Sequence, residues 1–261
     1  MKNYYVVGNK SSKSLSPIIF NHWFKKYKID ARYGFIEVSQ KKFDKKIIET
    51  LADKRLGGLN ITIPFKQRIM KYIELCDEHS LNINAVNCVH GNKKIKGFNT
   101  DWMGYYKTLP KIKNIKKKNI LIIGYGGAAL AIHYVLSLKG FKNISIINRT
   151  KKKLRFEKTT KYTISIKKLN KLLTNSEIVI NTTPKNPIKK ESLKYLSKKT
   201  LLSDIVYFPK NTDFLKNFPD NKKIYGISML LEQAASCFRI WFGFNPLIDK
   251  KLIQTLDKKI Q

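Results

Sequence analysis

Lys66 closes the segment Asn60-Ile61-Thr62-Ile63-Pro64-Phe65-Lys66, in which Asn60 and Thr62 share one face of a strand end. Pro64 is a favourable first helical residue, which places Lys66 in the first turn of a helix. Cations are normally avoided at that positive end, so a lysine held there points to proton transfer. In so lysine-rich a chain it also reads as one more solvated cation. A second chemical signal is Gly124-Tyr125-Gly126-Gly127-Ala128-Ala129, which fits G-x-G-x-x-[G/A]. It sits between an apolar strand and a helix. There its glycines let a pyrophosphate approach backbone N–H groups at the helix start. The bland alternative is an ordinary strand-helix turn.

The end of the following strand selects among nucleotides. Folds that bind NAD carry an acid there for the ribose hydroxyls. This chain has Asn148-Arg149-Thr150, with Lys153 one turn on. Arg149 offers a planar fork to a 2′-phosphate, so NADP is the expected cofactor.

Other polar residues carry two readings each. Ser14 and Ser16 lie just before a helix and either cap it or hold carboxylate or hydroxyl groups of a ligand. Asp101, with Thr100, reads as a helix cap. Asn87 lies in a strand and Tyr207 just past one, both consistent with structural roles. Gln233 lies in an apolar helix, where a buried amide must find partners. The histidines His22, His79, His90 and His133 show no metal-ligand spacing, so no metal is expected.

The elements that must position these groups alternate. Strands are expected at Tyr4–Gly8, Arg32–Val38, Gly57–Thr62, Ile120–Ile123, Ile144–Ile147, Ile178–Asn181, Leu201–Val206 and Lys223–Tyr225. Val86–His90 and Ile95–Phe98 read as a hairpin around Gly91-Asn92-Lys93-Lys94. Helices are expected from Pro17, over Phe43–Leu51, Asp101–Leu109 and Gly127–Lys139, and twice between Met229 and Ile260 with a break at Gly243–Pro246. Such alternation implies a doubly wound parallel sheet. The lysine-rich stretch 111–118 is the natural linker.

Composition narrows the class. The chain has 261 residues, with 52 Lys and Arg against 18 Asp and Glu, a net charge of +34. A nucleic-acid partner is one reading of that charge. Yet only 6 of the basic residues are Arg, and Lys, Ile and Asn, all with A/T-rich codons, make up 100 residues. Base bias and a solvated surface therefore account for the excess, and no specific nucleic-acid partner is expected. No apolar run reaches the ~20 residues of a bilayer span. Three cysteines, Cys76, Cys88 and Cys237, are odd in number and far apart along the chain, which suggests a reducing cytoplasm.

Taken in order, Ser14–Pro17, Asn60–Lys66, Ala85–Asn87, Gly97–Asp101, Gly124–Ala128, Asn148–Thr150, Asn181–Pro184, Asp204–Tyr207 and Gly226–Ala234 resemble the shikimate dehydrogenase family over nearly the whole chain. The resemblance implies reversible, NADP-dependent interconversion of 3-dehydroshikimate and shikimate, on the route to aromatic amino acids. It implies an N-terminal α/β substrate domain over 1–100, completed by C-terminal helices at about 230–261. A Rossmann-like doubly wound parallel-sheet NADP domain would occupy 101–229, with a cleft between the two lobes. Lys66 would move the proton and Asp101 would partner it. Ser14, Ser16, Thr62, Asn87, Tyr207 and Gln233 would hold the substrate. Gly124, Tyr125, Gly126, Gly127, Ala128, Asn148, Arg149, Thr150, Lys153, Ile205, Gly226 and Met229 would line the cofactor site, Met229 near the nicotinamide, and Glu78 would lie close to it.

Three residues depart from the family pattern: Asn84 for a Gly, Cys88 for a Thr, and Tyr125 for a small residue that it would replace by crowding the pyrophosphate or pointing to solvent. A quinate or aminoshikimate dehydrogenase is the related alternative. A non-enzymatic nucleotide- or nucleic-acid-binding protein is the alternative of another class. A cytoplasmic monomer or homodimer acting on a small molecule is expected.

Overall fold

The computed structural model describes all residues except 92–93, 151–153, 155–159 and 164–167, and of 161–163 the backbone alone. Lys153 and the tip of the expected hairpin lie outside the described residues. The chain divides into two compact units, Met1–Asp101 with Gln233–Leu256, and Trp102–Glu232 with Asp257–Gln261.

In the first unit the strands are β1 (Lys2–Gly8), β2 (Ala31–Glu37), β3 (Leu56–Ile61), β4 (Leu75–Cys76), β5 (Cys88–Gly91) and β6 (Ile95–Phe98). They form one mixed sheet in the order β2-β1-β3-β5-β6-β4. β1 is parallel to β2 and β3, while β5 is antiparallel to β3 and β6. The unit's helices are α1 (Ser16–Lys26), α2 (Phe43–Leu51) and α3 (Glu78–Ile83). β3 is buried at every position, because both faces of the sheet are covered. On one face Val7, Leu59 and Ile61 join Phe43, Ile47, Phe65 and Ile69. On the other, aromatic rings interlock: Tyr4, Phe20, Phe24 and Trp241 meet with centroids 4.7–5.4 Å apart where they touch in sequence of Phe24–Tyr4–Trp241–Phe20.

The second unit is built on β7 (Asn119–Ile123), β8 (Asn143–Ile147), β9 (Thr160–Thr163), β10 (Ile178–Asn181), β11 (Leu201–Asp204) and β12 (Lys223–Ile224), in the order β12-β11-β10-β7-β8-β9. All its strand pairs are parallel. Helix α4 (Asp101–Thr108) leads in from the first unit. α5 (Gly127–Leu138), α6 (Leu169–Asn175) and α7 (Asp213–Lys216) follow between strands. Leu121, Ile123, Val179 and Leu202 pack with Leu169, Leu173, Phe214 and Leu215, and Ile120 and Ile122 are buried too, so this sheet is also covered on both faces. The sheet order reverses between β7 and β10. In open α/β sheets that switch point is where ligands bind, beyond the carboxyl ends of the strands.

Helix α8 (Gly226–Phe242) and α9 (Lys250–Ile260) end the chain, with Gly243 at φ +83° in the break between them. The last residues depart from the expected division. Asp257–Gln261 group with the second unit, where Lys210 donates its backbone N–H to Ile260 (2.7 Å) and pairs with Asp257 (2.7 Å).

A second departure concerns Lys66. The Ile63–Pro64 bond is cis, and the first helical turn, of 3-10 type, begins only at Arg68. Pro64 therefore opens a turn, not a helix, and the expected opposition between Lys66 and a helix dipole does not arise. A third concerns Asn84, which closes α3 in the left-handed region at φ +60°. Asparagine tolerates that region better than other residues with a Cβ, which accounts for its standing where a glycine is usual.

Candidate active site

Four segments bring polar side chains together in the first unit. Phe65 stacks on Phe43 (4.1 Å between centroids, 12° between planes), which anchors the turn carrying Lys66. Lys66 in turn accepts the Val86 N–H on its backbone carbonyl (2.8 Å), docking the turn onto the segment that precedes Asn87. Lys66 Nζ donates to Asp101 Oδ2 at 2.6 Å, although 35 residues separate the two. Their side chains are 13% and 6% exposed, so this ion pair is screened little by water.

Asn87 fixes the other carboxylate oxygen. Its Oδ1 accepts the backbone N–H of Thr100 (2.6 Å), a group that can only donate. Its Nδ2 must therefore face Asp101 Oδ1 (2.8 Å), Thr100 Oγ1 (3.0 Å) and Gln233 Oε1 (3.2 Å). The Thr100 and Asp101 side chains take part in this network at the start of α4, and Asn99 Oδ1 accepts the Asp101 N–H (3.1 Å).

Ser14 and Ser16 form a second small group at the start of α1. Ser14 Oγ accepts the Ser16 N–H (3.2 Å) and donates to Ser16 Oγ (3.1 Å), so the two hydroxyls are paired, while the N-cap position of α1 is Leu15 and carries no side-chain cap. Thr62 is half-buried beyond β3, with its methyl against Gly8. Glu78 is exposed in the first turn of α3, where an acid suits the helix dipole.

Asn60 is the residue to which the sequence assigned no role of its own. It is buried, and its Nδ2 donates to the Asn87 carbonyl (3.1 Å) and Cys237 Sγ (3.2 Å). Cys88 and Cys237, distant in sequence, are free thiols with Sγ atoms 2.8 Å apart, and burial pushes the Cys88 thiol well above its ordinary value.

The second unit holds the glycine turn. Gly124 sits at φ +97°, and a Cβ there would lie 2.5 Å from Thr182 Oγ1, so only glycine fits between the ends of β7 and β10. Around Gly126 a Cβ would meet nothing within 4 Å, and no side chain caps α5. Gly127 and Ala128 open α5, whose first-turn N–H groups carry no side-chain acceptor. That open, uncapped helix start fits a dinucleotide pyrophosphate.

Tyr125 takes neither of the two orientations expected for it. It is 2% exposed, and its hydroxyl bonds His133 Nδ1 (2.9 Å), whose Nε2 reaches Thr160 Oγ1 (2.7 Å). The bulky ring is thus buried beneath the turn and leaves its open side clear. Beyond β8, Asn148 Nδ2 donates to the Thr150 carbonyl (2.7 Å), and Arg149 and Thr150 are exposed. At the start of α8, Gly226 is required: a Cβ would lie 2.5 Å from the Val206 carbonyl oxygen and 2.6 Å from that of Ile205. Tyr207 and Ile205 follow β11 half-buried, and Met229 is buried in α8. None of the described helices is long and apolar enough to cross a membrane.

A parallel sheet with a glycine turn at its switch point, joined to a mixed-sheet unit, defines a two-unit α/β protein of the nucleotide-binding kind. Comparison with known proteins narrows this. Residues 6–89 match the family model of the shikimate dehydrogenase substrate binding domain, and residues 107–230 that of shikimate / quinate 5-dehydrogenase. The shikimate dehydrogenase (NADP(+)) of Saccharolobus solfataricus is 34% identical over 98% of this chain and 94% of its own. That of Staphylococcus aureus is 36% identical over 90% and 91%. The crystal structure of shikimate dehydrogenase from Aquifex aeolicus superposes with a TM-score of 0.86 at 28% identity, covering 98% of this chain and 97% of that one. The chain belongs to the shikimate dehydrogenase family.

Proposed function

We propose that this chain is an oxidoreductase that interconverts 3-dehydroshikimate and shikimate with NADP, in the supply of aromatic amino acids. The single observation that carries the reading is the Lys66–Asp101–Asn87–Gln233 cluster, a largely buried cation and carboxylate knitted to two amides. Bound NADP would supply the nicotinamide that exchanges hydride with the substrate carbon. It would be held by the N–H groups at the start of α5, by Gly124, Tyr125, Gly126, Gly127 and Ala128, and by Asn148, Arg149, Thr150 and Lys153. Ile205, Gly226 and Met229 would lie along the rest of the cofactor. Glu78, exposed at the start of α3, would lie close to it.

The proton chemistry belongs to the chain itself. Lys66 Nζ spends one proton on Asp101 and has two more for the reacting oxygen. In the reductive direction the ammonium gives a proton to the carbonyl oxygen as it becomes an alcohol. In the oxidative direction the neutral amine takes it back. The Asp101 carboxylate orients Nζ and stabilises its charged form, while Asn87 keeps that carboxylate from turning. Ser14, Ser16, Thr62, Asn87, Gln233 and Tyr207 would hold the substrate's carboxylate and ring hydroxyls. In this reading residues 1–100 with the C-terminal helices are the substrate domain and 101–229 the NADP domain. The protein works as a cytoplasmic monomer or homodimer.

The test is the loss of NADPH absorbance on adding 3-dehydroshikimate, with quinate and NADP⁺ run in parallel. Turnover with 3-dehydroshikimate alone is the expected result. Turnover with quinate at equal efficiency contradicts the substrate assignment, and no oxidation of NADPH contradicts the activity.

A further inference from the structure

Asp204 ends β11, is 2% exposed and takes no part in the chemistry above. Among the described residues no lysine or arginine pairs with it, and neutral donors hold it instead. Oδ1 accepts the Val206 N–H (3.0 Å) and Asn181 Nδ2 (3.1 Å), and Oδ2 accepts the Thr212 hydroxyl (2.6 Å). Burial raises this carboxyl above its ordinary value, and the three donors oppose that rise.

Neighbours fix the direction of each bond. The Thr183 N–H can only donate, and it meets Asn181 Oδ1 at 2.9 Å. Asn181 therefore turns Nδ2 toward Asp204 and toward the Thr183 carbonyl (3.2 Å). The Val206 N–H likewise can only donate. Thr212 Oγ1 accepts the Leu215 N–H at the start of α7 (3.3 Å) and gives its own proton to Oδ2. Three segments of the second unit are thus fastened at one carboxylate: the end of β10, the turn after β11 and the entry to α7.

The turn after β11 is the seat of α8. The Ile205 and Val206 carbonyl oxygens lie so close to Gly226 that no Cβ fits, and the Ile205 N–H donates to the Asn181 carbonyl (3.1 Å). Fixing Val206 therefore fixes the surface on which Gly226, and the helix that carries Met229, rests. The glycine turn after β7 has anchors of its own, from the Gly124 N–H to the Ile147 carbonyl (2.8 Å) and from the Tyr125 hydroxyl to His133 (2.9 Å).

We propose that Asp204 is a positioning residue for the nicotinamide half of the cofactor: its carboxylate sets the Ile205–Val206 turn against which Gly226 and the start of α8 are placed. This rests on the functional reading above, in which Ile205, Gly226 and Met229 lie along the cofactor beyond the glycine turn. Asp204 acts through the Val206 backbone and the Asn181 amide.

The experiment compares Asp204→Ala and Asp204→Asn by titration calorimetry with NADP⁺ and with adenosine 2′,5′-bisphosphate, which carries both phosphates of the adenosine half and no nicotinamide. Asp204→Ala strands three buried donors and should raise the NADP⁺ Kd about tenfold. Its Kd for the bisphosphate should stay within about twofold, because the glycine turn is anchored elsewhere. A role confined to stability would lower Tm and leave the ratio of the two affinities unchanged. Asp204→Asn keeps an oxygen for Val206 and Asn181 and can turn its amide to Thr212, so its NADP⁺ Kd should return to within about threefold of the parent. An unchanged NADP⁺ Kd in Asp204→Ala, an equal loss for both ligands, or an asparagine variant as weak as the alanine variant overturns the proposal. Should Asp204→Ala not fold, Asn181→Ala, which removes one donor to Oδ1, is expected to weaken NADP⁺ severalfold and spare the bisphosphate, and no change there overturns it. A parent protein that binds neither ligand overturns the functional reading itself, separately from these outcomes.

Discussion

In the proposed reading the two units meet their ligands by opposite means. In the first, side chains make the site: Lys66, Asp101, Asn87 and Gln233 are all largely buried, and each hydrogen-bond direction is forced by a neighbour that can only donate or only accept. In the second, backbone makes the site. Gly124 and Gly226 are dictated by approaches that no Cβ allows, α5 begins uncapped, and Arg149, the described one of the two cations expected at the 2′-phosphate, is exposed. A proton must be delivered to one atom, which calls for an over-determined side chain. A pyrophosphate needs only room and aligned N–H groups, so the surrounding residue types are free to vary. Tyr125 illustrates that freedom, because its large ring is absorbed beneath the turn by His133.

The contrast predicts effects of different size and kind. Breaking the buried pair should cost most. Asp101→Asn removes the charge that orients Lys66 and should lower kcat by about 10²-fold or more. It should also destabilise the fold, since an uncompensated buried cation remains. Steady-state kinetics and thermal melting check this together. Arg149→Ala should cost one to two decades in NADP efficiency, the scale of one charge-assisted bond of about 1.5–3 kcal/mol. Its efficiency with NAD should barely move, because NAD has no phosphate there. A parent indifferent to the two cofactors, or a variant that loses both alike, would remove Arg149 from phosphate recognition.

Charge acts on both units and should give a smaller effect. With a net +34 against an anionic substrate and cofactor, kcat/KM should fall about tenfold from low to high salt with the fold intact. A flat profile excludes steering.

The smallest effect lies away from both sites. Asp249 is held below the usual carboxylate range by Lys26 (2.6 Å), then by the Leu252 N–H (2.9 Å) and by His22 (3.1 Å). A lowered carboxylate stabilises the fold fully above its unfolded value near pH ~4, and that contribution fades as pH falls through the folded value. Asp249→Asn should therefore cost about 1 kcal/mol at neutral pH, about 2–4 °C in Tm, and the gap between variant and parent should begin to narrow only as pH falls below about 4. A gap that is constant with pH contradicts the assignment.

Much of this was legible in the sequence because it is periodic or sterically forced. The apolar run Ile120–Ile123, the glycine turn after it and Gly140 beyond α5 announce a strand, a phosphate turn and a helix end, and all stand where expected. The fold class follows from such runs. Short elements such as β4 and α3 carry too few residues to show a period. The environment of Lys66 is not legible in the sequence, because a proline opens a tight turn as readily as a helix, and the helical turn here begins only at Arg68. The hydrogen-bond network was the least visible part. Asn60, Asn87 and Gln233 are drawn from three distant segments, and nothing in their spacing encodes which amide faces which carbonyl. The closeness of Cys88 and Cys237 was hidden for the same reason.

The central claim is that Lys66 moves the proton at the reacting oxygen. It is tested most directly by Lys66→Ala, comparing kcat for shikimate oxidation by NADP⁺ with the equilibrium Kd for shikimate. The account predicts a fall in kcat of about 10²–10⁴ with a much smaller change in Kd. A variant that turns over at nearly the parent rate, or one whose loss lies wholly in Kd, would contradict it.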